Sequence, residues 1–411
     1  MHDEFRNTTT KKSAYAGKVY MELKECSQIR NYNELMKYRQ LGSNGPIVSI
    51  LGFGCARLIN PEESEKAIIE AASQGINLFE TGPGYGNSEL ILGDAIKGYR
   101  DKVYISTKCS IVDEYGMPIS QDDLFQNVEM SLKRLRVDKI DIFNAWNIFD
   151  LEHFKAARKR FGFIDGVRKL MDEGIIDHFG FSSHDSPENI KIYIDSGEFE
   201  LAILSYSIID TTYEDVINYA NRKGLGVIAM KPLYGSVVLL LSKIFTGQNS
   251  DDLAITGLQF VLSSRSISSA ISGMTKTSEV KNNVKSVNGI ERLGHTFRNN
   301  ITKRYGSFYF SHTKFCSACR YCDSCPAKIP IPKLMKLYNV ISIFGNQKKE
   351  FQQFTKAQTI QRNDFEKCLE CEQCEKKCPD NLNIIERLKE LGEILSGNEG
   401  IDCEIQRIRE K

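Results

Sequence analysis

The chain has almost no net charge, no long apolar run and a single tryptophan, and each shortage narrows what it can be. Its 54 lysines and arginines against 53 aspartates and glutamates leave +1 over 411 residues. That gives no electrostatic case for a nucleic-acid partner, since phosphate recognition wants a basic face. No stretch approaches the roughly 20 apolar residues that span a bilayer, so a membrane partner is not expected. The first twenty residues, MHDEFRNTTTKKSAYAGKVY, are polar and lack the apolar core of a secretory leader. A cytoplasmic location is therefore expected, where disulfides are rare. Hydrophobic content of 41% and charged content of 26% are those of a soluble globular protein. The length leaves room for a large domain and a smaller one.

Clustered cysteine is what the chain has in excess. Eight of its twelve cysteines form two runs, Cys316, Cys319, Cys322, Cys325-Pro326 and Cys368, Cys371, Cys374, Cys378-Pro379. The second is the C-x2-C-x2-C-x3-C-P run of bacterial ferredoxins, in which three cysteines hold one four-iron four-sulfur cluster and the fourth reaches its twin. The first run ends one residue short of that spacing. Zinc is the competing reading, since repeated C-x2-C pairs can build a tetrahedral site. Eight cysteines with no interleaved histidine exceed what one zinc needs, and two terminal Cys-Pro pairs favour two iron–sulfur clusters. Cys26, Cys55, Cys109 and Cys403 are scattered singly and read as ordinary thiols.

Upstream, short apolar and β-branched segments alternate with amphipathic stretches. The strands expected are Ile50–Ala56, Asn77–Thr81, Val103–Lys108, Ile140–Ala145, His178–Ser182, Leu201–Tyr206, Leu225–Met230 and Ser268–Gly273. Asn60-Pro61 with Glu63, Ser120 with Asp123, and Ser186-Pro187 mark helix starts by placing a side-chain acceptor before the first turn. Eight strand–helix repeats predict a (β/α)8 TIM barrel, whose working face is the set of loops at the C-terminal strand ends. An open doubly wound sheet is disfavoured because no G-x-G-x-x-G follows the first strand. Residues 1–35 read as a polar arm, Met36–Val48 as a hairpin around Gly42–Gly45, 36–295 as the barrel, 296–400 as an iron–sulfur domain and 401–411 as a tail.

Leu51-Gly52-Phe53-Gly54-Cys55-Ala56-Arg57-Leu58, Gly75–Gly82, Tyr85-Gly86-Asn87-Ser88-Glu89, Thr107-Lys108 and Gly180–Asp185 together resemble the aldo-keto reductase family. The chain is most similar to the branch carrying a C-terminal ferredoxin-type domain, including a Cys-Arg-Tyr-Cys element at Cys319–Cys322. The resemblance implies carbonyl reduction with NADPH by an Asp-Tyr-Lys-His set. Tyr85 matches the general acid and Lys108 its partner, while Glu80 stands at the aspartate position and Trp146 at the histidine position. An indole donates but cannot carry a proton as imidazole does; Trp146 reads equally as a packing residue or a wall of the substrate pocket. Ser182 and Ser183 fall where the family holds the nicotinamide amide, Ile203 where it has a glutamine and Met230 where it stacks an aromatic. Gly273, Thr275 and Lys276 resemble the loop gripping the 2′-phosphate, with Asn283 at the adenine; a lysine there is also commonly just solvated. His184 reads first as a structural histidine.

Between the cysteine runs Ile331–Phe344 is helix-like, as is Leu382–Leu395 after the second, so a mainly α-helical ferredoxin-like module is expected, with Asn346–Asn363 an exposed connection. The ferredoxin pattern implies that Cys316, Cys319 and Cys322 pair with Cys378, and Cys368, Cys371 and Cys374 with Cys325. Hydride transfer moves two electrons and a cluster one, so a flavin or a substrate radical could join them. The expected function is an iron–sulfur-dependent oxidoreductase acting on a small molecule with NADPH or low-potential electrons, served by a redox protein such as a ferredoxin. The alternative is an electron-transfer partner protein whose barrel is a docking scaffold.

Overall fold

The computed structural model describes residues 30–31, 33–113, 115–240, 250–306, 315–344 and 366–396. All eight expected strands form, with ends shifted by at most three residues: β3 (Leu51–Gly54), β4 (Leu78–Glu80), β5 (Tyr104–Ser110), β6 (Ile140–Ile148), β7 (Ile176–Ser183), β8 (Leu201–Ser205), β9 (Gly226–Met230) and β10 (Ser269–Gly273). They pair in sequence order, all parallel, and β10 closes on β3, giving a barrel. Both faces of these strands are covered, which is why they read as nearly continuous apolar runs rather than alternating ones.

Preceding the barrel, β1 (Tyr38–Gln40) and β2 (Ile47–Ser49) pair antiparallel as the expected hairpin. Leu41 and Val48 from this hairpin join Leu78, Tyr104, Ile142, Leu201, Ile203, Ile228 and Ile271 in one buried cluster. Leu78 and Leu201 are the first residues of their strands, so the hairpin seals the N-terminal end of the barrel and leaves the other end for chemistry. Asp141, 1% exposed, reinforces this base: it accepts from Arg30 at 2.8 Å, Arg100 at 2.9 Å and the Ile105 N–H at 2.9 Å. Arg30 and Asn31, assigned to the arm on sequence, are thus tied to the barrel, while residues 1–29 lie outside the described ones.

The three expected helix caps all form. Asn60 accepts from the Glu63 N–H, Ser186 from the Asn189 N–H, and Ser120 and Asp123 make a reciprocal capping box. One register shift interrupts the barrel, between Ala145 and Ile148 of β6, where Asn147 takes φ +54°. The expected strand ended at Ala145; the ladder resumes beyond this bulge.

Packing divides the chain into two compact units. The second takes in Ser207–Thr211, Leu233–Leu240, Ser250–Gly257 and the described residues from His295 onward. Its core is built by the helices Ile331–Phe344 and Ile384–Ser396, through Leu334, Leu337, Ile341, Leu388 and Leu391, with Cys316 and Cys322 in the same cluster. This is the mainly helical module expected. The stretch Asn346–Asn363, Cys26, Cys403 and the tail lie outside the described residues. Among those described, no helix is long and apolar enough to cross a membrane.

Candidate active site and cysteine sites

The C-terminal strand ends bring Glu80, Tyr85, Lys108 and Trp146 together. Glu80 ends β4 and Lys108 lies on β5; both are 4% exposed. The Lys108 ammonium donates to the Glu80 carboxylate and to Tyr85 Oη at 2.6 Å. Tyr85 comes from the loop after β4, where its N–H reaches back to Gly82 O at 3.0 Å and sets a tight turn. Trp146 on β6 meets Tyr85 edge to face, ring centroids 6.1 Å apart, and Lys108 Nζ lies 4.2 Å from the Tyr85 ring centre and 5.6 Å from that of Trp146. Gly84 is required by this contact: a Cβ there would fall 2.2 Å from Trp146 Cη2. Burial pushes the Glu80 carboxyl up, and the Lys108 charge pulls it back. Cys55 beside them is fully buried; burial, and then the Glu80 charge, raise its thiol well above the ordinary value.

Around this centre the residues expected to hold a nucleotide are partly engaged with the protein itself. Ser182 Oγ accepts from the Asn147 N–H at 2.9 Å. Ser183 Oγ donates to Ile148 O at 2.7 Å and accepts from the Asp185 N–H at 3.0 Å. The two serines therefore brace the β6 bulge behind Trp146. Ile203 is buried in the inner apolar cluster and Met230 packs against it. Gly273 and Lys276 are exposed, and Lys276 occupies the cap position of the helix Thr277–Val284. Glu279, in that helix's first turn, accepts from the Thr275 N–H at 2.7 Å and Thr275 Oγ1 at 3.1 Å. Asn283 is buried and its Nδ2 donates to Ser272 Oγ at 3.1 Å. His184 is half-buried.

In the second unit the two cysteine runs come together on one core. Cys316 and Cys322 are buried in one apolar cluster, and Cys325, Cys368, Cys374 and Cys378 pack against it. A small hollow is lined by Cys322 and Cys325 of the first run and by Cys368, Cys371 and Cys374 of the second. No described cysteine is in a disulfide. Nor do any three Cys, His, Asp or Glu side chains among the described residues converge on one point as a single ion requires. Burial raises the Cys316 thiol to about 12 and the Cys374 thiol to about 11. Such sulfurs ionise only against a bound cation that takes up the charge.

Comparison with known proteins agrees with both halves. Residues 51–244 match the aldo/keto reductase family, and residues 315–382 match the 4Fe-4S dicluster domain. The chain carries an aldo/keto reductase domain followed by a 4Fe-4S dicluster domain. Among curated relatives, L-galactose dehydrogenase of Arabidopsis thaliana is 29% identical over 294 residues, 63% of this chain and 90% of that protein. The NADH-specific methylglyoxal reductase of Escherichia coli is 32% identical over 187 residues, 40% of this chain and 55% of that one. Among solved structures, an aldo-keto reductase from Bacillus halodurans in its holo form superposes with TM-score 0.58 and 25% identity, covering 66% of this chain and 97% of its own.

Within the reductase domain the structure adds residues that the sequence did not single out. Asn144, 1% exposed on β6, donates from Nδ2 to Ser106 Oγ at 2.9 Å and Thr107 O at 3.2 Å, so it steadies the strand that carries Lys108. Its Oδ1 and the Oδ1 of buried Asn147 find no hydrogen-bond partner among the described residues. The available signal was a pair of amides in a strand otherwise rich in apolar residues. Glu279 was missed because a helix-start glutamate ordinarily reads as solvated.

Proposed function

We propose that the protein is an oxidoreductase that reduces, or in reverse oxidises, a carbonyl or related group of a small molecule, using a nicotinamide dinucleotide together with low-potential electrons from two four-iron clusters. The observation that carries this reading is Lys108 Nζ at 2.6 Å from Tyr85 Oη while the same ammonium is paired with buried Glu80. A phenol donating its proton to a carbonyl oxygen becomes a phenolate, and an adjacent ammonium stabilises that charge as it develops. Glu80 holds the Lys108 side chain in place, and Trp146 forms a wall beside Tyr85. When bound, the nucleotide would supply hydride to the carbonyl carbon. The names of two relatives, a methylglyoxal reductase and an L-galactose dehydrogenase, agree with a small carbonyl or sugar substrate.

For the nucleotide, NADP(H) is the form the family resemblance implies. Exposed Lys276 beside Gly273 and Thr275 supports a phosphorylated ligand, since a cation and a helix N-terminus both favour phosphate. The Glu279 carboxylate must leave the Thr275 N–H before an anion can use it. Ser182, Ser183 and Asn283 would meet the nicotinamide and adenine ends. For iron we assign Cys316, Cys319, Cys322 and Cys378 to one cluster and Cys325, Cys368, Cys371 and Cys374 to the other, as the ferredoxin pattern implies; cysteines of both runs pack on one core, which supports ligands crossing between them. Such clusters reach about −400 mV or below and would supply electrons one at a time. A flavin or a substrate radical would join these steps to hydride chemistry. A small-molecule substrate, a redox protein such as a ferredoxin, and the cytoplasm complete the proposed setting.

The test is anaerobic titration of the cluster-loaded protein with NADPH, followed by a carbonyl panel reduced with NADPH or dithionite. Nucleotide binding with carbonyl turnover is expected; the absence of both would sink the reading. A second reading, an electron-transfer protein whose barrel is a docking scaffold, is favoured by Ile203 buried in the core and Trp146 at the strand end. It requires that Tyr85→Phe leave electron transfer intact while ligand substitutions abolish it.

A further inference from the structure

Two neighbouring side chains at the catalytic end of the barrel keep hydrogen-bonding capacity that the protein does not use. Asn147 follows Trp146 at the bulge of β6, is 5% exposed, and its Oδ1 is buried without a partner among the described residues. Its φ of +54° suits asparagine. Backbone alone does not account for that oxygen, since glycine takes the same conformation and leaves nothing unpaired. An unpaired buried acceptor costs about 1–3 kcal/mol, so a donor from outside the chain is its fitting partner. Ser182, 6% exposed, accepts from the Asn147 N–H at 2.9 Å, and its hydroxyl proton has no acceptor among the described residues. It pairs in register with Ile203 of the inner cluster and so faces the barrel interior. Ser183 is committed: its one proton goes to Ile148 O, and it accepts from the Asp185 N–H. Asn144 also has an unpaired Oδ1, but a Cβ on Gly180 would fall 2.8 Å from it, so that oxygen itself fills the space over the glycine.

We propose that Asn147 and Ser182 together hold the carboxamide of the nicotinamide, Asn147 Oδ1 accepting from its NH2 and the Ser182 hydroxyl donating to its carbonyl oxygen. The inference rests on the nucleotide reading above. A primary amide presents a donor and an acceptor side by side. Asn147 and Ser182 present the complementary acceptor and donor, joined by their own hydrogen bond. They supply what apolar Ile203 and the engaged Ser183 do not. An amide read at both ends has one orientation, and the ring attached to it then presents one face to the substrate. Asn147 is thus a positioning residue for hydride transfer.

The experiment uses the full chain with its clusters reconstituted anaerobically, and compares NADP+ with its 3-acetylpyridine analogue, in which a methyl group replaces the amide NH2 and the carbonyl stays. By calorimetric titration the wild-type chain is expected to bind NADP+ about tenfold more tightly than the analogue, the worth of one hydrogen bond to a buried acceptor. Asn147→Gly keeps the left-handed backbone and the N–H that reaches Ser182. This variant is expected to bind NADP+ about tenfold more weakly and the analogue within about twofold of wild type, so that the discrimination disappears. Wild-type protein that binds both nucleotides alike overturns the proposal without any variant, and so does an Asn147→Gly chain that still discriminates. A variant effect confined to carbonyl turnover, with both affinities unchanged, also overturns it and puts the donor on the substrate. A wild-type chain that binds neither nucleotide overturns instead the nucleotide reading beneath the inference.

Discussion

Lys108 serves Tyr85 and Glu80 at once: its ammonium stands 2.6 Å from the phenol oxygen and against a carboxylate that is 4% exposed. The proton donor and its electrostatic support are therefore one hydrogen-bonded unit. Tyr85→Phe keeps the ring contact with Trp146 and removes only the proton, so kcat for carbonyl reduction is expected to fall by about 10²–10⁴ with KM nearly unchanged. Glu80→Gln leaves Lys108 buried without its counter-charge and is expected to cost about 3–5 kcal/mol of barrel stability, read by denaturant unfolding. A Tyr85→Phe enzyme with wild-type kcat would remove Tyr85 from the chemistry.

The two buried barrel thiols lead to a pH test. Burial raises Cys109 to about 12 from an ordinary value of 9.0, and raises Cys55 as well. Alkylation needs the thiolate, and a thiol near 12 is about a thousandfold less ionised at pH 8 than one at 9.0. Native protein treated with iodoacetamide at pH 8 is expected to stay unlabelled at both residues by mass spectrometry. Labelling of Cys109 should climb roughly tenfold per pH unit until the thiol ionises or the barrel unfolds. Rapid native labelling at pH 8 would show that these thiols are not buried.

How far the sequence leads can be judged from particular residues. The eight strands were legible because parallel strands buried on both faces leave β-branched apolar runs, and the caps at Asn60, Ser120 and Ser186 because an acceptor before a helix has a local cause. The extension of β6 past Ala145 was not, because a bulge is decided by neighbouring strands; it is Ser182 and Ser183 of β7 that hold Asn147 and Ile148. Leu233–Leu240 and Ser250–Gly257 join the second unit through packing such as that of Gly235 on Ser317, which no local pattern announces. The two cysteine runs were legible because each is a local repeat closed by Cys-Pro. The burial of Cys316 was not, because it depends on distant partners: Asn339 holds the Cys316 N–H and Asp380 the Ser317 N–H.

Glu279 gives a direct test of the nucleotide's phosphate. Its carboxylate accepts from the Thr275 N–H at 2.7 Å, at the start of a helix whose N-terminus would otherwise favour an anion. Glu279→Gln removes that negative charge while keeping an acceptor for Thr275. If Gly273–Lys276 receives the 2′-phosphate, this variant is expected to bind NADPH about five- to tenfold more tightly, with NADH nearly unchanged, by fluorescence titration. Equal effects on both nucleotides would place the phosphate elsewhere.

Trp146 is the chain's single tryptophan, so its fluorescence reports on the candidate active site alone. Gly84→Ala would put a methyl carbon 2.2 Å from Cη2 and 2.8 Å from Cζ3 of the indole, an overlap only movement can relieve. Overpacking of this kind costs about 1–3 kcal/mol. Because the displaced ring lies edge-on to Tyr85, the variant is expected to lose kcat/KM by about tenfold or more and to shift Trp146 emission to the red. Trp146→Phe deletes the ring atoms that collide. In that background Gly84→Ala should cost little further, giving a coupling of about 1–3 kcal/mol in the double-mutant cycle. Additive losses would mean that Gly84 acts through the backbone of the Tyr85 turn and not through the indole.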